Sequence, residues 1–560
     1  MHLVLAPAED GMAVTRVDDA GEALGPARSV RDSELAALVA SEPPTARWVW
    51  EDSSVAYAAL LRLGVRVDRA HDLRLCRAIL RRSAATAGSE VASGPRDALD
   101  DEPPLAGSGS AQTLFDFGLE AASVDPVTEL RRQLSAVAGA AVPGRIRLLL
   151  AAESAGGLAA AEMKHVGIPW DATRHDAFLT DLLGPRPPAG VRPAKLEELA
   201  HRIRAGLDAP SLNPDSPQEL LAALRSAGLA VESTRSAELQ RHEHPAMADV
   251  LDYKKRSRLL TANGWTWLDT WVTGGRFFAD FLPGGVPSGR WAARGGGALQ
   301  LPKQLRSAVR AEPGWRLVVA DAAQLEPRVL AAMAGDLAMA EAGRSGDLYA
   351  GIAASGVVPD RNSAKYAMLG AIYGATAGQG GRLLPRLGKA FPRAMALVED
   401  AARAGERGES VSTLLGRSSG GAGPAWLAAQ RASAETASPA DQGRARSAAR
   451  ERGRFTRNFV VQGTAAEWAL CWLADLRRRL AALAVDGTAP ELVYFLHDEV
   501  LVHAPAPLAD DVAAAIREAA ASAGRLLFGG FPIDFPLDVA VVDDYGQADS
   551  PPPAPHTLDG

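Results

Sequence analysis

Three acids sit where a carboxylate has no routine task. In ELVYFLHDEVLVHAP, residues 491–505, an apolar, strand-forming run stops at His497-Asp498-Glu499 and then resumes. That is a hairpin pattern whose turn carries a His and two acids, without the usual Gly. In GWRLVVADAAQLEPRVLAAMAGD, residues 314–336, a buried strand is predicted over Leu317–Ala320, ending at Asp321, and a helix follows. An acid at the C-terminal end of a strand, where the chain turns into a helix, faces a cleft. Asp321 and Asp498 are far apart in sequence and meet only if both strands share a sheet. Two converging carboxylates repel and raise one pKa. Two divalent ions roughly 3.5–4 Å apart, bridged by carboxylates and a phosphate, relieve that repulsion and drive an in-line phosphoryl displacement. Mg²⁺ suits such a site, with few protein oxygens and the rest water and phosphate. Taken singly, each acid reads first as a turn or cap residue.

RNSAKYAMLGAIYGATAG, residues 361–378, places Arg361, Lys365, Leu369 and Tyr373 four residues apart, on one slowly drifting face of a helix. The face is cationic first, then apolar and aromatic, the polarity of a nucleoside triphosphate. Arg offers a fork to phosphate oxygens, and Lys a point charge that can also donate a proton. Gly370 and Gly374 leave room for a base pair. An amphipathic helix with its basic residues in water has the same pattern.

The surrounding elements must position these groups. The 560 residues are 47% hydrophobic and 23% charged, the balance of a soluble globular protein of several domains. No apolar run is long enough to span a membrane. The first residues lack the basic and apolar regions of a signal peptide. Cys76 and Cys471 suggest neither a disulfide framework nor a zinc site. The net charge of −7 argues against a polyanionic partner, but the charge is uneven. Residues 1–155 hold 16 basic and 22 acidic residues, whereas 251–310 hold 10 basic and 3 acidic. Local potential steers a polyanion, although a basic stretch is also an ordinary solvated face.

Residues 1–80 read as a small α/β unit, with a strand at TARWVWED and a helix at SSVAYAALLRLG after an Asp-Ser cap. Residues 81–112 are rich in Ser, Gly, Pro and Asp and read as a flexible linker or loop. A mostly helical stretch follows to 250, including a helix capped by Ser216 with Pro217 at its first position. Residues 418–448 read as a flexible insertion, and 546–560 as a disordered tail.

The stretches DAAQLEPR (321–328), RNSAKYAMLGAIYG (361–374) and LHDEV (496–500) resemble motifs A, B and C of family A DNA polymerases, the class of bacterial DNA polymerase I. SGR (288–290), LQLP (299–302), LLGR (414–417) and RFTRNFVVQGTAAEWA (454–469) are similar to supporting stretches of that family. The resemblance covers about 150–550. It implies an α/β (α+β) chain: an N-terminal ribonuclease H-like exonuclease-type domain (1–150), then a right-hand polymerase. The thumb and start of the palm would occupy 151–310, palm motif A 311–347, the fingers 348–450 and palm motif C 451–545.

The resemblance also implies roles. Asp321 and Asp498 would hold two Mg²⁺ ions (Mn²⁺ substituting), with Glu499 assisting. Glu326 would exclude a ribose 2′-OH. Arg361 and Lys365 would bind the phosphates, Lys365 donating a proton to pyrophosphate. Gln324, Leu369 and Tyr373 would complete the nucleotide site. Arg290, Arg454, Asn458, Gln462 and His497 would contact the primer end and minor groove, where every base pair offers acceptors. Lys254, Lys255, Arg256, Arg258 and Arg306 would grip phosphates. The partners would be primer–template DNA and dNTPs, with no membrane, and the protein a cytoplasmic, nucleoid-associated monomer in replication or repair. The chain differs from the family at Leu369, usually aromatic, at Pro327, usually aliphatic, and at Tyr349, usually His.

Proofreading of this family needs Asp-x-Glu on the first strand. Here LVLAPAED has Ala6-Pro7-Ala8 instead, and no Tyr-x-x-x-Asp or His-x-x-x-Asp motif precedes 155. The expected N-terminal domain is therefore an inactive remnant, with Asp52 and Asp72 as isolated acids, and no stretch corresponds to a 5′ nuclease domain. The competing readings are a bifunctional exonuclease–polymerase, a DNA-binding protein with a dead polymerase fold, and a single-subunit RNA polymerase. Intact Asp321, Asp498, Arg361 and Lys365 oppose the dead fold, and Glu326 opposes ribonucleotide use.

Overall fold

In a computed structural model of the chain, the described residues are 1–9, 11–101, 124–294, 296–297, 301–374, 378–433 and 438–549. They form two compact units. The first comprises Met1–Val166, Phe281–Arg294 and Gly314–Val541, and the second Gly167–Asp280, Gly295–Pro313 and Val542–Gly560.

The first unit opens with strands β1 (His2–Ala8), β2 (Gly11–Val17), β3 (Arg28–Val30), β4 (Arg47–Trp50) and β5 (Ala70–Asp72). Their order is β3-β2-β1-β4-β5. β1 is antiparallel to β2 and parallel to β4, and β4 is parallel to β5. Leu3, Leu5, Trp48, Trp50, Tyr57 and Leu60 bury one face against Leu158 and Ala161 of the helix Pro143–Val166. A domain boundary at 150/151 therefore falls inside a continuous helix. The helix after β4 runs over Ala56–Arg62, later than the Asp-Ser cap implied. Asp52 instead closes a turn, its Oδ1 accepting from the Ser54 N–H at 2.7 Å.

The described part of the expected linker, 81–101, is built structure. It holds short helical turns at Ala84–Thr86, Glu90–Ser93 and Ala98–Asp100, with Val91 and Leu99 buried. Ser83, Ser89 and Asp97 each cap one of these turns by accepting a backbone N–H. The Ser/Asp richness that suggests flexibility is here spent on capping. Residues 102–112 lie outside the described residues.

A second sheet carries the acids. It contains β6 (Trp315–Ala322), β7 (Glu491–Leu496), β8 (Glu499–Pro505) and β9 (Leu537–Val542), in the order β7-β8-β6-β9. Leu317–Ala320 and Val500–Ala504 are buried throughout, as befits strands covered on both faces. The helices Pro439–Ala482 and Ala509–Phe528 lie together in this unit, Trp472 Nε1 of the first donating to Ile516 O of the second at 3.1 Å. The expected flexible insertion at 418–448 is largely helical. Pro424–Arg431 is a helix, and from Pro439 the chain belongs to a continuous helix of 44 residues. Ser438 caps it and Pro439 takes its first position, and its Ala and Arg content favours helix. Residues 434–437 and 550–560 lie outside the described residues, the latter including most of the expected tail.

The second unit is mainly helical. Its core includes Leu179, Leu196, Ile203, Leu224, Tyr253 and Trp265, and Ser216 and Pro217 start the helix Pro217–Ser226 as the sequence indicates. Among the described residues, no helix is long and apolar enough to cross a membrane. Cys76 and Cys471 are buried free thiols.

Candidate active site

The hairpin forms with His497-Asp498 between β7 and β8, and His497 adopts a left-handed backbone, φ +59°. Hairpin turns commonly give that conformation to Gly; His is among the side chains that tolerate it, at a cost typical of functional sites. β6 pairs antiparallel with β8, so Asp321 lies directly across from Glu499. The next rung is completed by the Ala322 N–H donating to Asp498 O at 2.8 Å. Asp321, Asp498 and Glu499 thus come together at one end of the sheet.

Burial pushes the Asp498 carboxyl up to about 6, with Glu326 and Glu499 adding to the rise and Arg290 opposing it. Two carboxylates and one guanidinium thus act on the Asp498 side chain. His497 is held at about 4 by burial and by Arg290, and its Nδ1 is buried with no hydrogen-bond partner among the described residues. The ring is therefore neutral at physiological pH, with a polar atom left for a ligand.

The cationic helix spans Arg361–Tyr373, with Asp360 capping it and Gly374 ending it in a left-handed conformation, φ +72°. Arg361, Lys365 and Tyr373 are exposed and Leu369 is half-buried, while Ala364, Ala367, Met368 and Ala371 are buried. The predicted face is therefore the one turned from the core. Both ends of this helix are tethered to the segment after β6. Arg361 Nε pairs with Asp347 Oδ2 at 2.6 Å, and Gln324 Nε2 donates to Asp347 Oδ1 at 3.2 Å. At the far end, the Tyr373 hydroxyl lies 3.0 and 2.8 Å from the two oxygens of Glu326, which also accepts from Arg290 at 2.6 Å. Burial and Glu326 raise the Tyr373 pKa, so the phenol stays protonated and donates.

Several expected contacts are otherwise engaged. Gln324, a nucleotide contact by resemblance, has its amide consumed by Asp347, by the Leu348 N–H at 2.8 Å and by Arg328. Its left-handed backbone, φ +54°, marks it as part of the turn itself. Arg290 and Tyr373 clasp Glu326. Gly374 makes room for Arg454, whose Cγ would lie 2.8 Å from an added Cβ. Asn458 Oδ1 is buried without a partner among the described residues, and Gln462 accepts from the Ser288 hydroxyl at 2.7 Å. Lys365 is exposed. In the second unit, Lys254, Lys255, Arg256 and Arg258 share the helix Met247–Asn263. Lys255 and Arg258 are exposed, and Lys254 reaches Thr234 at 3.5 Å. Arg256 is tied to Asp252 at 2.8 Å and to Leu182 O at 2.6 Å, and Arg306 stacks 4.3 Å from the Tyr545 ring. An ion-paired or stacked guanidinium has less to offer a phosphate.

Residues without an assigned role also build the site. Arg328 is fully buried and donates to the carbonyls of Ala323, Gly343, Gly346 and Asp534, fixing the turn behind Asp321. Asp347 is the joint between Arg361 and Gln324. Nothing in their local sequence separates these residues from an ordinary surface Arg and a helix cap.

Among the described residues, no group of three or more His, Cys, Asp or Glu side chains is placed to hold a metal ion. The donors at the sheet end are all carboxylate oxygens around a buried acid that resists ionisation, which fits a hard divalent cation sharing its remaining positions with water and a phosphate ligand.

A model of DNA polymerase family A matches residues 192–543. DNA polymerase I of Chloroflexus aurantiacus is 29% identical over 350 residues, 57% of this chain and 34% of that protein. The thermostable DNA polymerase I of Thermus filiformis is 27% identical over 372 residues, 60% of this chain and 40% of that protein. The chain thus spans little more than a third of the length of these relatives. The solved POL domain of Pol1 from M. smegmatis, in complex with DNA primer-template and dNTP, has the same fold at 18% identity. Its TM-score is 0.67, covering 98% of this chain and 96% of that one. The matched region holds both the paired acids and the tethered cationic helix and takes in more than half of the residues, so the chain belongs to DNA polymerase family A.

Proposed function

We propose that this chain is a template-directed DNA polymerase that adds dNMP to a primer 3′-OH. The observation that carries this reading is the convergence of Asp321 and Asp498 beside a helix whose exposed face runs from Arg361 through Lys365 to Tyr373. Asp321 and Asp498, with Glu499 near, would hold two Mg²⁺ ions, for which Mn²⁺ substitutes. When bound, these ions supply activation of the attacking oxygen and charge stabilisation on the leaving one. The protein groups orient the rest. Arg361 leaves Asp347 to take a triphosphate oxygen, and Lys365 holds a neighbouring oxygen and protonates pyrophosphate as it departs. Glu326, fixed from two sides by Arg290 and Tyr373, stands where a 2′-OH would project. Asn458, Gln462 and His497, two of them with buried polar atoms unpartnered among the described residues, face the primer end. Residues 151–310 are read as the thumb and the start of the palm, and 348–450 as the fingers.

The N-terminal sheet is read as a ribonuclease H-like module without proofreading activity. Its strand order supports the first part, and Ala6 and Ala8 on β1 support the second. The partners are primer–template DNA and dNTPs, and the working form is a cytoplasmic monomer. A primer-extension assay tests the reading: template-dependent extension is expected with dNTPs and Mg²⁺, and none with rNTPs alone or after chelation. Tight DNA binding without extension would leave the dead-fold alternative standing.

A further inference from the structure

The helix Pro439–Ala482 carries a stripe that the proposed polymerase site uses only at one end. Arg446, Arg450, Arg454, Asn458 and Gln462 recur every four residues, so each follows the last by about 6 Å along the axis and about 40° around it. Exposure falls along the stripe. The three arginines are exposed, and Asn458 and Gln462 are half-buried. The arginines elsewhere on the same stretch are already engaged. Arg444 pairs with Asp441 and Arg457 with Glu399. Arg452 donates to Glu409 O at 3.1 Å and also to Gly420 O at 2.6 Å. Arg446 and Arg450 make no ion pair or side-chain hydrogen bond among the described residues. The acid nearest to them in sequence, Glu451, is exposed and lies about 100° away from Arg450 around the helix. Arg446 lies in the stretch, 418–448, whose composition suggests a loose insertion, and Arg450 lies just beyond it. Folded as helix, this segment carries the line outward from the site as a slow spiral, with Arg450 about 40° and Arg446 about 80° around from Arg454.

Resting on the polymerase reading, we propose that Arg446 and Arg450 bind the phosphate backbone of DNA beyond the site, extending the track that begins at Gln462, Asn458 and Arg454. Cations spaced by one helical turn match a regular polyanion. Arg contacts of this kind add affinity that falls with salt and is indifferent to sequence. Glutamine at these positions keeps helix propensity and removes charge.

The test measures DNA affinity across a salt series for wild type, for Arg446→Gln/Arg450→Gln, and for an off-stripe control of equal charge change, Arg403→Gln/Arg444→Gln. The probes are primer–templates with short arms, with a lengthened single-stranded template arm, and with a lengthened duplex arm. The stripe variant should lower the slope of log affinity against log salt by about 1.4–1.8 on one of the long probes, with no change on the short probe. The arm affected identifies single strand or duplex as the bound form, and the control should follow wild type. Equal slopes for wild type and stripe variant on every probe, or an equal loss in the control, overturn the proposal. Primer extension by the same wild-type preparation separates the two readings: extension with unchanged slopes overturns this one alone, whereas no binding and no extension overturn both.

Discussion

Acids gather at strand ends twice in the first unit, and their oxygens are used in opposite ways. Asp72 ends β5, and its two oxygens accept the Leu75 N–H at 2.9 Å and the Ser53 N–H at 2.7 Å. Its neighbour Asp52 accepts from Ser54 and lies 3.3 Å from Arg74. Burial and the nearby Asp52 push Asp72 up to about 7. Both acids are saturated by local structure, and β1 beside them carries Ala6 and Ala8. In the second sheet, the Asp498 carboxylate takes no hydrogen bond from another residue among the described residues. It sits with Asp321 and Glu499 across a ladder closed by long-range pairing. A strand-end carboxylate is available for chemistry when the cap and turn hydrogen bonds are met by other groups.

Five substitutions test this contrast. The largest effect is expected in the second sheet. Asp321→Asn or Asp498→Asn should lower extension by more than about 10³-fold, the loss of several kcal/mol of charge stabilisation. Primer–template binding should be retained in a gel-shift or anisotropy measurement. Turnover near wild type in either variant would remove the metal assignment.

The same substitution should have the opposite sign on stability. The Asp498 pKa is raised from 3.8 to about 6 in the folded protein. Its contribution to metal-free stability is therefore fully present below about 3.8, falls as pH rises through about 6, and is flat above. Asp498→Asn should stabilise the chelated protein at pH above 6 by at most about 3 kcal/mol, the gain vanishing below pH 4. Denaturant melts at the two pH values measure it; a destabilised variant would mean that the carboxylate is paired in the free protein.

Glu326→Ala comes third. It opens the space beside the proposed sugar position and releases Arg290 and Tyr373. Ribonucleotide discrimination, read as the ratio of kcat/KM for dNTP and rNTP, should fall about 10- to 100-fold. An unchanged ratio would assign sugar choice to another residue.

The smallest effect is expected at the N-terminal pair. Asp52→Asn should leave the 3′ end of a mismatched, end-labelled primer as wild type leaves it, without dNTPs and with Mg²⁺ or Mn²⁺. Asp321→Asn serves as the control for pyrophosphorolysis. Stepwise shortening that persists in that control and disappears in Asp52→Asn would make the two acid clusters equivalent. Asp72→Ala should cost about 1 kcal/mol through the lost helix cap, again without a nuclease phenotype.

Local sequence determined much of this protein. The β7–β8 hairpin, the strand ending near Asp321, the cap at Ser216-Pro217 and the exposed face from Arg361 to Tyr373 follow from periodicity and from side chains acting within a few residues. Motif order pointed to the family for the same reason, since each motif is a contiguous stretch. Tertiary structure decided which of these pieces meet and which oxygens remain available. Asp321 faces Glu499 because β6 chose β8 as its partner. Glu326 is clasped by Arg290 and Tyr373, and Gln324 is spent on Asp347 and Arg328. None of these pairings has a local signature. The Ser, Gly and Asp of 81–101 look the same whether solvated or capping buried turns, because composition records hydrogen-bonding capacity and not its partner. A carboxylate's chemistry depends on that partner, and the partner is supplied by residues distant in the chain.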